Sequence, residues 1–136
     1  MDRWSAGQRR TDQDPWPYAT EGTTVDISGA IRVSTTDAFD AWLAAHAADE
    51  RQVIVAIHKQ SSPHHTLGLR DLQEVALCHG WVDTLTQRID DERYAIRFVP
   101  RRPRSHWGGS NREMARRLLA EGRVTDAGRA VLPDDL

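Results

Sequence analysis

Trp81-Val82-Asp83-Thr84-Leu85-Thr86-Gln87-Arg88-Ile89-Asp90-Asp91-Glu92-Arg93-Tyr94-Ala95-Ile96-Arg97-Phe98-Val99 decides the fold. Apolar and polar residues alternate on both sides of an acidic triplet, Asp90, Asp91 and Glu92. That pattern predicts a β-hairpin, with strands over 81–89 and 93–99. Trp81, Leu85 and Ile89 are expected to share a core face with Tyr94, Ile96 and Phe98. By the same parity Asp83 falls on that face. Pro100 and Pro103 stop the second strand, because proline has no N–H to give to a ladder.

Working outward, Gln52 to His58 places Val53, Val55 and Ile57 on one face and Ile54 and Ala56 on the other. A strand apolar on both faces is central, so 52–58 is a third strand. Three helices surround these strands. Thr36 to Ala48 carries Phe39, Trp42, Leu43 and His46 at i, i+3, i+4, i+7, behind the N-cap candidates Ser34, Thr35 and Thr36. Leu69 to His79 presents Leu72, Val75 and Ala76, with Gly80 where a left-handed C-cap belongs. Ser110-Asn111-Arg112-Glu113 fits a capping box, followed by inward Met114, Leu118 and Leu119 and a stop at Gly122. Thr125 caps a last short turn. The expected class is α+β, a small, mostly antiparallel sheet (about 52–58, 81–89, 93–99) packed with three to four helices.

A chain of 136 residues suits one domain, placed at 25–136, with Val25 to Val33 as a short edge strand. Residues 1–24 read as a flexible N-terminal tail. They lack hydrophobic period and contain Pro15-Trp16-Pro17, although Trp4 and Trp16 offer anchors. No apolar run is long enough to span a bilayer, and Met1 to Arg10 has no signal-peptide core. The lone cysteine, Cys78, excludes an intramolecular disulfide, and these features together predict a cytoplasmic protein.

The chain's net charge is −2, yet residues 97–117 hold seven arginines against one acid, Glu113. Lys59 is the only lysine, so the basic charge is almost entirely guanidinium, suited to planar contact with carboxylate or phosphate. A GC-rich coding bias would also favour arginine over lysine. Arg101, Arg102 and Arg104 precede a helix start, whose free N–H groups attract anions.

Three motifs then carry a family resemblance. They are Phe39-x-x-Trp42-Leu43; Ala76-Leu77-Cys78-His79-Gly80-Trp81-Val82-Asp83; and Arg97-Phe98-Val99-Pro100-Arg101-Arg102-Pro103-Arg104-Ser105-His106-Trp107 followed by Asn111. In order and spacing, from about Phe39 to Gly128, the chain resembles the YdeI/OmpD-associated family of bacteriocin-protection proteins. It departs from that pattern at His79, Val82 and Gly108. The resemblance implies a small bacterial protein contributing to tolerance of antimicrobial peptides and envelope stress. At fold level it extends to small α+β domains of the YjbR kind, whose shape has suggested DNA binding.

The site expected from these residues is a binding site. Arg97, Arg101 and Arg104 hold an anionic group, Ser105 and Asn111 add hydrogen bonds, and Trp81 and Trp107 form apolar walls. Asp83 orients an arginine, Arg97 or Arg104. The partner is a small anionic molecule or peptide, bound by a monomer or homodimer. No cofactor or metal is expected, since His58, His64 and His65 lack ligand spacing. Cys78, near a helix C-terminus where the dipole opposes a thiolate, reads as a buried structural thiol. Two alternatives remain: a nucleic-acid-binding domain using the same arginines, and a small enzyme with Asp83 as general base.

Overall fold

A computed structural model describes residues 27–136; the expected tail, with Trp4 and Trp16, and Val25 of the expected edge strand lie outside them. The elements run β1 (Ile31–Arg32), α1 (Thr36–His46), β2 (Val53–His58), α2 (Leu69–Cys78), β3 (Trp81–Arg88), β4 (Arg93–Pro100), α3 (Gly109–Ala120) and α4 (Asp126–Arg129), after a 3-10 turn at Ile27–Gly29. The strands form one mixed sheet in the order β1-β2-β4-β3. β1 pairs parallel to β2, and both other pairings are antiparallel. The fold is α+β, as expected.

The hairpin turn owes its form to Asp90. Its Oδ1 accepts the backbone N–H of Glu92 and Arg93 at 2.9 and 2.8 Å, and its Oδ2 accepts Arg93 Nε at 2.9 Å. A short carboxylate that bonds its own backbone two residues on makes an Asx-type turn. Asp91 pairs instead with Arg88 across the turn.

One face of the sheet is covered by α1 and α2. Val53, Val55, Ile57, Tyr94, Ile96, Phe98 and Trp81 meet Phe39, Leu43, Leu72 and Val75 there. The Phe39 and Phe98 rings lie 5.1 Å apart in a tilted arrangement, and both side chains are fully buried. The opposite face carries a smaller cluster, Ile54, Ala56, Ile89 and Ala95, against Ile27 and Ala30. A third cluster joins α3 to the far side of α2 through Trp107, Leu77, Cys78, Met114, Leu118 and Val124. In α1 the expected stripe is partial, because His46 is exposed and stacks on Trp42 at 4.8 Å.

Two local expectations are corrected. β3 and β4 shift register between Asp83 and Leu85: Asp83 lies opposite Phe98 and Leu85 opposite Arg97, leaving Thr84 as the extra residue. A bulge of one residue reverses side-chain parity beyond it. Trp81 and Asp83 therefore face the helices, Thr86 replaces Leu85 as the buried side chain there, and Ile89 joins the opposite face. The second correction concerns α3, which begins at Gly109 with Gly108 as N-cap and no side-chain cap. Ser110 already lies inside the first turn, so the capping box does not form.

The other helix ends match their residues. Thr35 accepts Ala38 N at the start of α1, and Asp71 accepts Gly68 N at 2.9 Å before α2. Gly80 has φ +80° after α2. α3 closes with Gly122 N on Leu119 O and Arg123 N on Leu118 O, both 3.0 Å, the Schellman pattern. Thr125 caps α4 through Gly128 N, and its hydroxyl donates to Cys78 O at 2.8 Å.

Candidate functional site

β4 delivers the chain at Pro100 into a loop that runs to Gly108 before α3. Its first residue, Arg101, is fixed by its N–H to Gly80 O at 2.8 Å. The Arg101 guanidinium lies over the Trp107 ring, 3.8 Å from its centroid, and Nη2 donates to His106 O at 2.9 Å. This is a cation–π contact folded back on the same loop. Burial pushes the Arg101 pKa below its ordinary value, and the nearby Asp83 carboxylate pulls it back. No carboxylate forms an ion pair with Arg101 among the described residues.

Three buried polar atoms have no hydrogen-bond partner among the described residues: Arg101 Nε, Ser105 Oγ and Trp107 Nε1. All lie within the loop. Each carries a hydrogen to donate, and leaving such a group buried and unpaired costs about 1–3 kcal/mol. Trp107 is only 7% exposed and sits in the α2–α3 cluster. Packing and a few backbone contacts thus hold the loop, while these three donors have no partner among the described residues.

A turn in the middle of the loop presents a further arginine. Ser105 N reaches Arg102 O at 3.3 Å across Pro103 and Arg104, and Arg104 has φ +63°. Proline followed by a left-handed residue is a type II turn, whose second central position favours glycine. Arg102 and Arg104 are both exposed and make no ion pair among the described residues.

Of the expected site residues, Arg101, Ser105 and Trp107 come together, with Arg104 on the surface of the same loop. Trp81 opens β3, buried and edge-on to Trp42 at 6.3 Å, and lines a cleft of about 580 Å³ together with Arg101. Asp83 is half-buried and accepts Gln73 Nε2 at 3.3 Å. It faces Arg101 electrostatically, so the expected partnership with Arg97 or Arg104 is replaced by one with Gln73 and Arg101. Arg97 projects from the other face of the sheet, where Nε donates to Gln52 at 2.7 Å and Nη1 to Thr84 at 3.4 Å. Register separates it from the loop: Arg97 lies opposite Ile54 and Leu85. Asn111 sits in the first turn of α3, half-buried and without a side-chain hydrogen bond among the described residues.

Two of the remaining arginines of the basic segment, Arg112 and Arg117, are engaged, while Arg116 is exposed. Arg117 pairs with Glu74 at 2.5 Å and Glu121 at 3.3 Å, linking α3 to α2, and Arg112 pairs with Asp135 at 3.0 Å. Cys78 is buried, and desolvation raises its pKa above the ordinary thiol value. The histidine loop is a structural latch. Buried Ser62 donates to Glu92 at 3.0 Å, accepts His64 N at 3.0 Å and touches His58 Nδ1 at 3.3 Å.

Sequence reasoning missed His79, Gly80 and Asp126, which line the cleft beside Trp81 and Arg101. His79 is 8% exposed and its Nε2 lies 2.8 Å from Asp40 Oδ1. A histidine following a helix whose first neighbour in space is an acid 39 positions earlier leaves no mark in local sequence.

A family model described as a domain of unknown function, DUF8412, matches residues 31–131. The chain belongs to this family. The match runs from β1 past α4, so the DUF8412 domain contains the sheet, the loop and the cleft. No curated protein and no solved structure matches the chain.

Proposed function

We propose that this DUF8412 protein binds an anionic ligand through the Arg101–Trp107 loop. The carrying observation is the set of three buried donors, on Arg101, Ser105 and Trp107, without partners among the described residues. An acceptor oxygen from a carboxylate or phosphate that reached any of these donors would satisfy it, beside a guanidinium that makes no ion pair among the described residues. Arg104, exposed at the apex of the turn, adds the outer charge. Asp83 serves as a positioning residue, its charge holding Arg101 in place.

The motif resemblance to YdeI/OmpD-associated proteins supports a role in tolerance of antimicrobial or toxic compounds, with the ligand bound inside the cell and not converted. No helix among the described residues is long and apolar enough to cross a membrane. Calorimetric titration with pyrophosphate and with small carboxylates tests the binding. Saturable binding that is lost in Arg101→Gln and weakened in Arg104→Ala, with both variants folded, is expected. Equal binding by both variants would remove the loop from the site.

Arg102 and Arg104, exposed and without an ion pair among the described residues, give a second reading some support: phosphate contacts along a nucleic acid. Such binding falls steeply with salt. Affinity for short DNA that vanishes between low and moderate salt, with no small-anion binding, would favour it.

A further inference from the structure

The cleft that Arg101 shares with Trp81 has a volume of about 580 Å³, within the range of about 300–1,000 Å³ typical of small-molecule sites. Its place is set by Gly80. The Gly80 carbonyl accepts Arg101 N at 2.8 Å, and a Cβ at Gly80 would stand 3.0 Å from Ala127 O. The end of β4 and the start of α4 therefore flank one point, with Arg101 on one side and Asp126 on the other. The wall between them is apolar, formed by Trp81, Ala44 and Ala48 with Val131.

Charge narrows the occupant. Arg101 is the arginine among the residues lining this cleft, and exposed Asp126 is the acid among them. His79, also at the wall, is already bonded to Asp40. A polyphosphate would meet one cation and an opposing acid. A single carboxylate is matched by Arg101, which makes no ion pair among the described residues, and leaves an apolar body to Trp81 and the alanines.

We propose that the cleft beside Gly80 binds an apolar molecule bearing one carboxylate, with the carboxylate on Arg101 and the body between Trp81 and the alanines at the end of α1. This rests on the role given to Arg101 above and adds the class of ligand. A free acid and the C-terminus of a short peptide share that chemistry.

Titration of the full chain with indole-3-propionate, its primary amide, the dipeptide Ala-Trp and pyrophosphate tests it. A charge-assisted hydrogen bond distinguishes acid from amide by roughly tenfold or more in Kd, so the acid binds and the amide binds at least that much more weakly. Ala44 is exposed on α1 and lines the cleft, so Ala44→Phe fills the space from the α1 side. That variant loses indole-3-propionate and keeps pyrophosphate. Binding of Ala-Trp as well as the acid assigns peptide C-termini, and binding of the acid alone assigns small acids. Equal affinity for acid and amide, or an Ala44→Phe variant that binds the acid unchanged, overturns the proposal. Pyrophosphate binding without any monocarboxylate binding overturns it while leaving the loop reading intact. Failure of every ligand overturns both.

Discussion

Arg104 holds a backbone conformation that side chains with a Cβ seldom adopt, φ +63°. The left-handed region costs an L-residue other than glycine roughly 1–2 kcal/mol. No ion pair among the described residues offsets that cost, and the side chain is exposed. Arg104→Gly is therefore expected to raise unfolding free energy by about 1 kcal/mol while weakening anion binding, both readable by denaturant unfolding and titration. A loss of stability would mean the arginine is held by contacts the turn does not reveal. Cys78 makes the opposite case, a chemically capable group kept inert. Burial raises its pKa, so it stays a thiol near neutrality. Iodoacetamide should modify it in denaturant and spare it in the native protein; rapid native labelling would contradict its burial.

At the scale of elements, the hairpin and the α2–α4 junction carry specific costs. Burial works against the ionised Asp90 carboxylate, but the Arg93 side chain and the backbone N–H groups of Glu92 and Arg93 outweigh it and hold its pKa below the ordinary value. A lowered carboxyl pKa stabilises the fold above its unfolded-state value, near 4, and that contribution fades as pH falls through the folded value. Asp90→Ala should cost about 1–2 kcal/mol at neutral pH, and the gap to the parent should shrink below about pH 4. A gap independent of pH would leave only the neutral turn geometry. Gly128 is stricter. A Cβ there would stand 2.3 Å from Cys78 O, so Gly128→Ala must push α4 off α2. A fall in melting temperature is expected, and full stability would show the junction is looser than drawn.

Element positions were legible in the sequence because alternation and helical period are local properties. The bulge was not: Thr84 enters as one extra residue in a run whose composition is unchanged. That insertion sends Leu85 and Ile89 away from the face that parity assigned them. The α3 capping box failed for a similar reason. Gly108 and Gly109 allow the helix to start two residues early, and then Ser110 has no N-cap role.

For the molecule as a whole, the arginine run is distributed rather than pooled. Sheet register sends Arg97 to one face, while Glu74 of α2 takes Arg117 and Asp135 takes Arg112. The loop core, Arg101, Ser105 and Trp107, was legible because those residues are close in sequence. Its junction with Gly80, His79 and Asp126 was not, because it depends on contacts between distant segments. The core also makes an alkaline prediction. Burial pushes the Tyr94 pKa up to about 12 from an ordinary 10.0. A raised pKa means the protonated phenol is favoured by the fold, so its contribution is complete below pH 10 and declines as pH rises from about 10 to about 12. Tyr94→Phe should flatten the loss of stability in that window; an unchanged slope would place the titrating group elsewhere.

The Trp107 indole N–H tests the central claim most directly. Its nuclear magnetic resonance signal, assigned by its disappearance in Trp107→Phe, can be followed while pyrophosphate or indole-3-propionate is added. An anion reaching the unpartnered donors should shift that signal saturably in the parent protein and leave it still in Arg101→Gln. A signal that never moves while a ligand demonstrably binds would contradict the account, because binding would then occur away from the loop.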